Sequence, residues 1–199
     1  VAGNHDLGIK LQQYDAYLEI PYVKAIPKEQ TFENGKAVYA EFQAGGQDFL
    51  LIGAGWGADV SSVDWMNRVL QSHPNHVAIL LFHSYVTAKG DLSYQGDEMR
   101  DLIVAKNPNV RLVLSGHIRG SGYRLEEFDD DGDGIMDRQV HAMLYNYQEY
   151  PYYSSGHLRV LTFDTATRDI HVYTYSPYTD RTYADSHFKE KEFALLDAF

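Results

Sequence analysis

The chain has 199 residues, enough for one domain with a substantial core, and its 44% apolar and 14% aromatic content excludes a disordered composition. A formal net charge of −11 argues against a nucleic-acid or anionic-membrane surface, since both need clustered Lys and Arg, and it means that an anionic substrate needs cations beside it. There is no cysteine, which removes disulfides and thiolate metal ligands, and no run approaches the roughly 20 apolar residues of a membrane span.

In chain order, the sequence opens on Gly3-Asn4-His5-Asp6, and Leu11–Ile20 is predicted as a short helix stopped by Pro21. Residues 22–34, with Pro27 and Asn34-Gly35, read as loop. Strands are expected at Ala37–Phe42 and Asp48–Ile52 around a Gly45-Gly46 turn, followed by a sharply bending Gly53–Gly57 loop. From Ser61 to Gln71 the apolar positions Val63, Met66, Val69 and Leu70 have helical spacing, with Asp59, Ser61 and Ser62 near the cap. Val77–Phe82 and Val110–Leu114 are continuous apolar runs, the pattern of strands buried on both faces. Between them, Asp97–Ala105 is predicted as a helix ending before Asn107-Pro108, so the three make a right-handed crossover in a parallel or mixed sheet. Tyr123–Phe128 with Arg138–Tyr145, and Leu158–Phe163 with Ile170–Tyr175, read as hairpins. Beyond Pro177 periodicity is weak, and a short terminal helix is expected at Lys189–Ala198.

Two histidines follow directly on the buried strands, His83 in Phe82-His83-Ser84 and His117 in Ser115-Gly116-His117. The carboxyl ends of strands are where open α/β sheets place their sites. Singly, each feature has an ordinary reading: Gly-Asn is a turn dipeptide, and a histidine after a strand is commonly structural. The remaining histidines, His73, His76, His141, His157, His171 and His187, lack such context and are expected in surface or packing roles.

Taken together, the Gly-Asn-His-Asp box and the two strand-ending histidines resemble the C-terminal three of the five motif blocks of calcineurin-like metallophosphoesterases. The resemblance implies an α/β fold, with mixed β-sheets in a sandwich flanked by helices. It also implies hydrolysis of a small phosphate mono- or diester by a water activated between two metals roughly 3.5–4 Å apart. On that pattern Asn4, His83 and His117 hold one divalent transition metal (Mn, Fe or Zn). His5 protonates the leaving alcohol or stabilises the transition state, and Asp6 orients its ring.

Two departures accompany the match. The Asp-x-His and Gly-Asp-x-x-Asp blocks that supply most of the other metal's ligands are not found, and the usual Gly-His-x-His reads Gly116-His117-Ile118-Arg119. Arg119 could pair with a substrate phosphate through its planar fork, or be a surface cation. Residues 1–199 are therefore expected to be the C-terminal part of a single metallophosphoesterase domain, incomplete at the N-terminus, not competent alone and partnered by the missing N-terminal half.

A second motif runs from Asp129 to Asp137. Asp129, Asp131, Asp133 and Asp137 fall at positions 1, 3, 5 and 9 of an EF-hand loop, Gly134 at 6 and the Ile135 carbonyl at 7. Val140 stands where Glu closes that loop, and the flanks read as strands, so the motif resembles a structural Ca²⁺ loop in a hairpin at 123–145. Such weak sites suit extracellular Ca²⁺ levels and, with no cysteine, favour a secreted or cell-surface bacterial protein. Met143–Gln148 and Gly156–Arg159, with Trp56 and Trp65, resemble a secreted bacterial branch of the family; Tyr147 or Gln148 could border a substrate pocket or simply pack in the sheet. The alternatives to an enzyme are a non-catalytic calcium-stabilised binding or surface module that keeps this fold, and a self-contained calcium-binding β domain.

Overall fold

The computed structural model describes residues 1–7, 21, 25–33, 35–148, 156–185 and 188–199. A single helical turn, α1 (Asn4–Leu7), starts the chain, and the helix expected over Leu11–Ile20 lies outside the described residues. Within the stretch read as loop, a 3-10 turn (Lys28–Gln30) leads into a two-residue strand, β1 (Thr31–Phe32). That strand forms because it pairs with β2 (Ala37–Ala44) and Phe32 packs against Trp65, with ring centroids 5.7 Å apart. Strand β2 turns through Gly45 and Gly46, both at positive φ, into β3 (Gln47–Ala54).

Helix α2 (Val60–Ser72) is capped by Asp59, whose Oδ1 accepts from the Ser62 amide at 2.9 Å, and it buries Val63, Met66, Val69 and Leu70. Strand β4 (Val77–Phe82) follows. The next helix, α3 (Tyr94–Leu102), begins three residues earlier than the apolar spacing suggests and ends before Ala105. Ser93 sets its start by accepting from the Gly96 amide at 3.0 Å. Its end is marked by Asn107, whose Nδ2 donates to the Ile103 carbonyl at 2.7 Å, leaving Val104–Lys106 as a 3-10 turn. Then come β5 (Val110–Ser115), β6 (Gly120–Phe128) and β7 (Arg138–Asn146).

These strands form one mixed seven-stranded sheet in the order β1-β2-β3-β4-β5-β7-β6, with β3, β4, β5 and β7 parallel. A second sheet is built on β9 (Asp169–Ser176). Along one edge it pairs with β8 (Leu158–Asp164); along the other, β10 (Arg181–Tyr183) and β11 (Glu192–Leu195) follow end to end. The terminal helix expected at Lys189–Ala198 is thus corrected to a strand. Phe193 and Leu195 point alternately into the space between the sheets, and β9 offers an open edge, so pairing outweighs the weak helical pattern.

Period-two alternation divides the core into two layers. Leu50, Ile52, Leu80, Phe82, Val113 and Leu144 join Met66, Leu70, Met99 and Ile103 beneath the helices. Their neighbours Phe49, Ile79, Leu112 and Met143 meet Ile170, Val172, Phe193 and Phe199 of the second sheet. Burial on both faces is what the unbroken apolar runs anticipate, and each such side chain contributes about 1.5–3 kcal/mol.

The β6–β7 hairpin is tied to this core by Arg138. Its guanidinium, 1% exposed, pairs with Asp130 at 2.7 Å, donates to the Val104 and Val110 carbonyls, and lies 4.2 Å from the Phe128 ring centre. An Arg138→Met variant keeps the bulk but strands a carboxylate and two carbonyls. It should lose about 3 kcal/mol of unfolding free energy in chemical denaturation, whereas a loss within experimental error would show the clasp to be dispensable.

Candidate metal centre

The site is assembled at the carboxyl ends of β4 and β5. Phe82 and Ser115 are register partners, so His83 and His117 leave the sheet side by side, and the Gly116 amide donates to the His83 carbonyl at 3.1 Å. Below His83, Tyr85 is fully buried and donates its hydroxyl to Glu126 at 2.7 Å; Glu126 also takes the Arg100 Nε–H at 2.9 Å. This anchors the segment after β4 to β6 and α3. Burial and the Glu126 charge push the Tyr85 phenol far upward, so it remains a donor.

His117 adopts φ 63°, a left-handed conformation that costs a non-glycine residue energy. Asn146, the last residue of β7, holds it there by donating Nδ2–H to the His117 carbonyl at 3.0 Å. Asn146 Oδ1 in turn accepts from the Gln148 amide at 3.0 Å.

The third donor comes from the first residues of the chain. Ala2 O accepts from the Trp56 amide at 2.8 Å, laying this segment against the loop after β3. Asp6 N–H bonds the Gly3 carbonyl at 3.0 Å and Asp6 Oδ2 accepts from the Gly3 amide at 2.7 Å, closing the turn that presents Asn4. Gly3 is required by close approach: a Cβ there would lie 2.7 Å from His83 Cε1.

Asn4 Oδ1 lies 2.9 Å from His83 Nε2, which lies 3.1 Å from His117 Nδ1. A single imidazole nitrogen faces an amide oxygen and a second imidazole nitrogen, and one N–H serves only one of them. Ligands at about 2.0–2.1 Å from a common cation stand roughly 2.9–3.4 Å apart at octahedral and tetrahedral angles, so these N/O donors fit a divalent transition metal. Burial, then the neighbouring His117, holds the His83 pKa below the ordinary histidine value and keeps the ring neutral, the form that ligates. Trp56 flanks both rings, its indole 4.8 Å from the His117 ring centre and 5.5 Å from that of His83.

The other residues singled out from sequence are placed as follows. His5 is exposed beside Asn4. The Asp6 carboxylate accepts from the Gly3 amide and so braces the turn that carries Asn4 and His5. Arg119 is exposed two residues beyond His117. Trp65 is half-buried and packs against the core between Phe32 and Tyr39. Tyr147 packs on Tyr145 and His157, at 4.3 and 5.4 Å between ring centres. Asn146 carries little signal in the sequence beyond being an Asn that closes an apolar strand.

At the tip of the β6–β7 hairpin, carboxylate oxygens of Asp129, Asp131 and Asp137 lie within 4.8 Å of one another. Backbone amides hold them: Asp129 accepts from Gly132 and Gly134 at 2.6 and 2.8 Å, and Asp137 from Asp130 at 2.6 Å. Asp133 Oδ1 accepts from the Ile135 amide at 2.8 Å and stands outside that trio.

The sequence profile of the calcineurin-like phosphoesterases matches residues 1–119, the span that carries Asn4, His83 and His117. The chain belongs to that family, whose members in general are metal-dependent phosphoester hydrolases. It is also 40% identical over 202 residues to the uncharacterized protein YvnB of Bacillus subtilis (strain 168). That alignment covers 98% of this chain but only 16% of the relative.

Removing the Asn146 side chain frees the strained His117 backbone. Asn146→Ala should weaken Co²⁺ or Mn²⁺ binding about 10- to 100-fold in a calorimetric titration, the usual cost of losing a residue that orients a ligand. Unchanged affinity would show that the left-handed turn holds itself.

Proposed function

We propose that this chain forms one wall of a phosphoesterase active site, in which Asn4, His83 and His117 hold a Mn, Fe or Zn ion and a water is directed onto the phosphorus of a small phosphate mono- or diester. The observation that carries the reading is the convergence of Asn4 Oδ1, His83 Nε2 and His117 Nδ1 from two strand ends and the α1 turn. A divalent cation held there would polarise a phosphoryl oxygen and lower the pKa of a bound water. His5, exposed on the same turn as Asn4, would give a proton to the departing alkoxide. Asp6 keeps that turn closed, and Arg119 supplies a planar cationic fork for the phosphate in a chain of net charge −11. The ligands of a second metal would come from Asp-x-His and Gly-Asp-x-x-Asp segments of a longer polypeptide.

The test is metal-dependent hydrolysis of aryl phosphomono- and diesters by the longest natural polypeptide that carries this chain. His83→Ala and His117→Ala should each lower kcat/KM at least 100-fold while the fold persists by circular dichroism. Hydrolysis that survives both substitutions would move the chemistry elsewhere. Metal binding without any hydrolysis would favour a non-catalytic module on the same fold.

The hairpin tip is proposed to bind Ca²⁺ through Asp129, Asp131, Asp133, the Ile135 carbonyl and Asp137, and so to order the turn. Asp129, Asp131, Asp133 and Asp137 repel one another, and a cation among them removes that repulsion. A site of this grade fits the outside of a bacterial cell, the location we assign. Millimolar Ca²⁺ added to chelated protein should raise the melting temperature by several degrees, and Asp131→Asn should abolish the shift. An equal melting temperature with and without Ca²⁺ would rule the site out.

A further inference from the structure

Trp56 is the large apolar side chain at the metal centre that the hydrolytic reading leaves without a task. It is 37% exposed, although an indole beside two imidazoles could have been buried at little cost. Its ring is tilted 39° to that of His117 and stands nearly perpendicular to that of His83. The backbone beneath it is fixed, because its amide bonds Ala2 O at 2.8 Å and the following Gly57 takes φ 72°. Trp56 is therefore a rigidly mounted aromatic surface within 5 Å of a candidate ligand ring.

Trp56 also borders a cavity of about 90 Å³ lined by the small residues Ala2, Gly55, Gly57 and Ala58 and by the polar Lys36, Asp59 and Ser62. Four of its lining residues are Ala or Gly, and it is far smaller than whole-ligand pockets, which run to roughly 300–1,000 Å³. Space of this size next to an exposed indole suits one planar ring rather than a long chain, and the Asp59 carboxylate disfavours an anionic head there. Trp56 is common to this cavity and to the metal centre.

We infer that Trp56 is a specificity-determining residue that stacks on the leaving group, so that the preferred substrates are phosphoesters of planar aromatic alcohols. This rests on the proposed phosphoesterase reading and names its substrate class. Ring-on-indole stacking is tolerant of the ring's identity and is worth roughly a 5- to 100-fold preference. The step it assists is the one already described: the P–O bond to the aryl oxygen breaks as water oxygen bonds phosphorus, and that oxygen leaves with the electron pair and takes a proton.

Binding and turnover are measured side by side on the metal-loaded protein. Phenylphosphonate and ethylphosphonate serve as non-hydrolysed probes in calorimetric titrations, and phenyl phosphate and ethyl phosphate as substrates. Phenylphosphonate should bind at least 5-fold tighter than ethylphosphonate. Trp56→Ala should bring that ratio close to one, and Trp56→Phe, which keeps an aromatic face, should restore most of it. In turnover the same ratio should appear mainly in KM. A phenyl preference below 2-fold, or one that Trp56→Ala leaves intact, overturns the inference even if both esters are hydrolysed. A Trp56-dependent binding preference without hydrolysis of either ester upholds it and defeats the hydrolase reading instead.

Discussion

The parallel pairing of β4 with β5 governs everything at the site. Because Phe82 lies opposite Ser115, the backbone continues from both strands at one level, and His83 and His117 emerge as neighbours. A slip of one residue would turn every apolar side chain of Val77–Phe82 to the wrong core layer. Since both faces of this strand pair are packed, that register is far more costly to disturb than a surface loop would be. The imidazoles thus inherit their relative position from hydrophobic burial, not from attraction between themselves. Indeed their mutual influence is unfavourable to charge, since His117 helps to hold the His83 pKa down.

Around that pair the fold adds smaller constraints. The amide of Trp56 draws the first residues of the chain onto the end of β3, which brings Asn4 to His83, and Gly3 makes room for the imidazole. Asn146 reaches from the end of β7 to steady the left-handed His117. Tyr85 and Glu126 pin the backbone just beyond His83. The strain at the site is local and is offset by hydrogen bonds from three different strands or their ends. The acidic hairpin tip lies at the other end of β6 from the candidate metal centre, and Arg138 joins its Asp130 to the carbonyls of Val104 and Val110, on either side of the turn into β5.

Much of the architecture is legible in the residues. The runs Val77–Phe82 and Val110–Leu114 declare doubly buried strands, and strict alternation in Ile170–Tyr175 declares one packed on a single side. The Asp59 cap and the Val63-Met66-Val69-Leu70 stripe announce α2. Errors fall where local preference is weak and a distant partner decides. β11 forms because β9 has an edge to fill, and β1 because β2 does. The start of α3 was hidden by Gly96, a poor helix former that serves at the first turn because Ser93 caps it.

By itself the sequence determined the family, the identity of three candidate ligands and the strand ends that carry two of them, because motif chemistry and burial periodicity are local properties. Only the tertiary structure decided that Asn4, separated from His83 by 79 positions, meets it at 2.9 Å, that Asn146 holds His117, and that Trp56 faces the centre rather than the core. Those relations depend on which strand ends lie side by side. That is settled by the packing of two core layers, whose energy is summed over many non-local contacts and leaves no trace in any short stretch of residues.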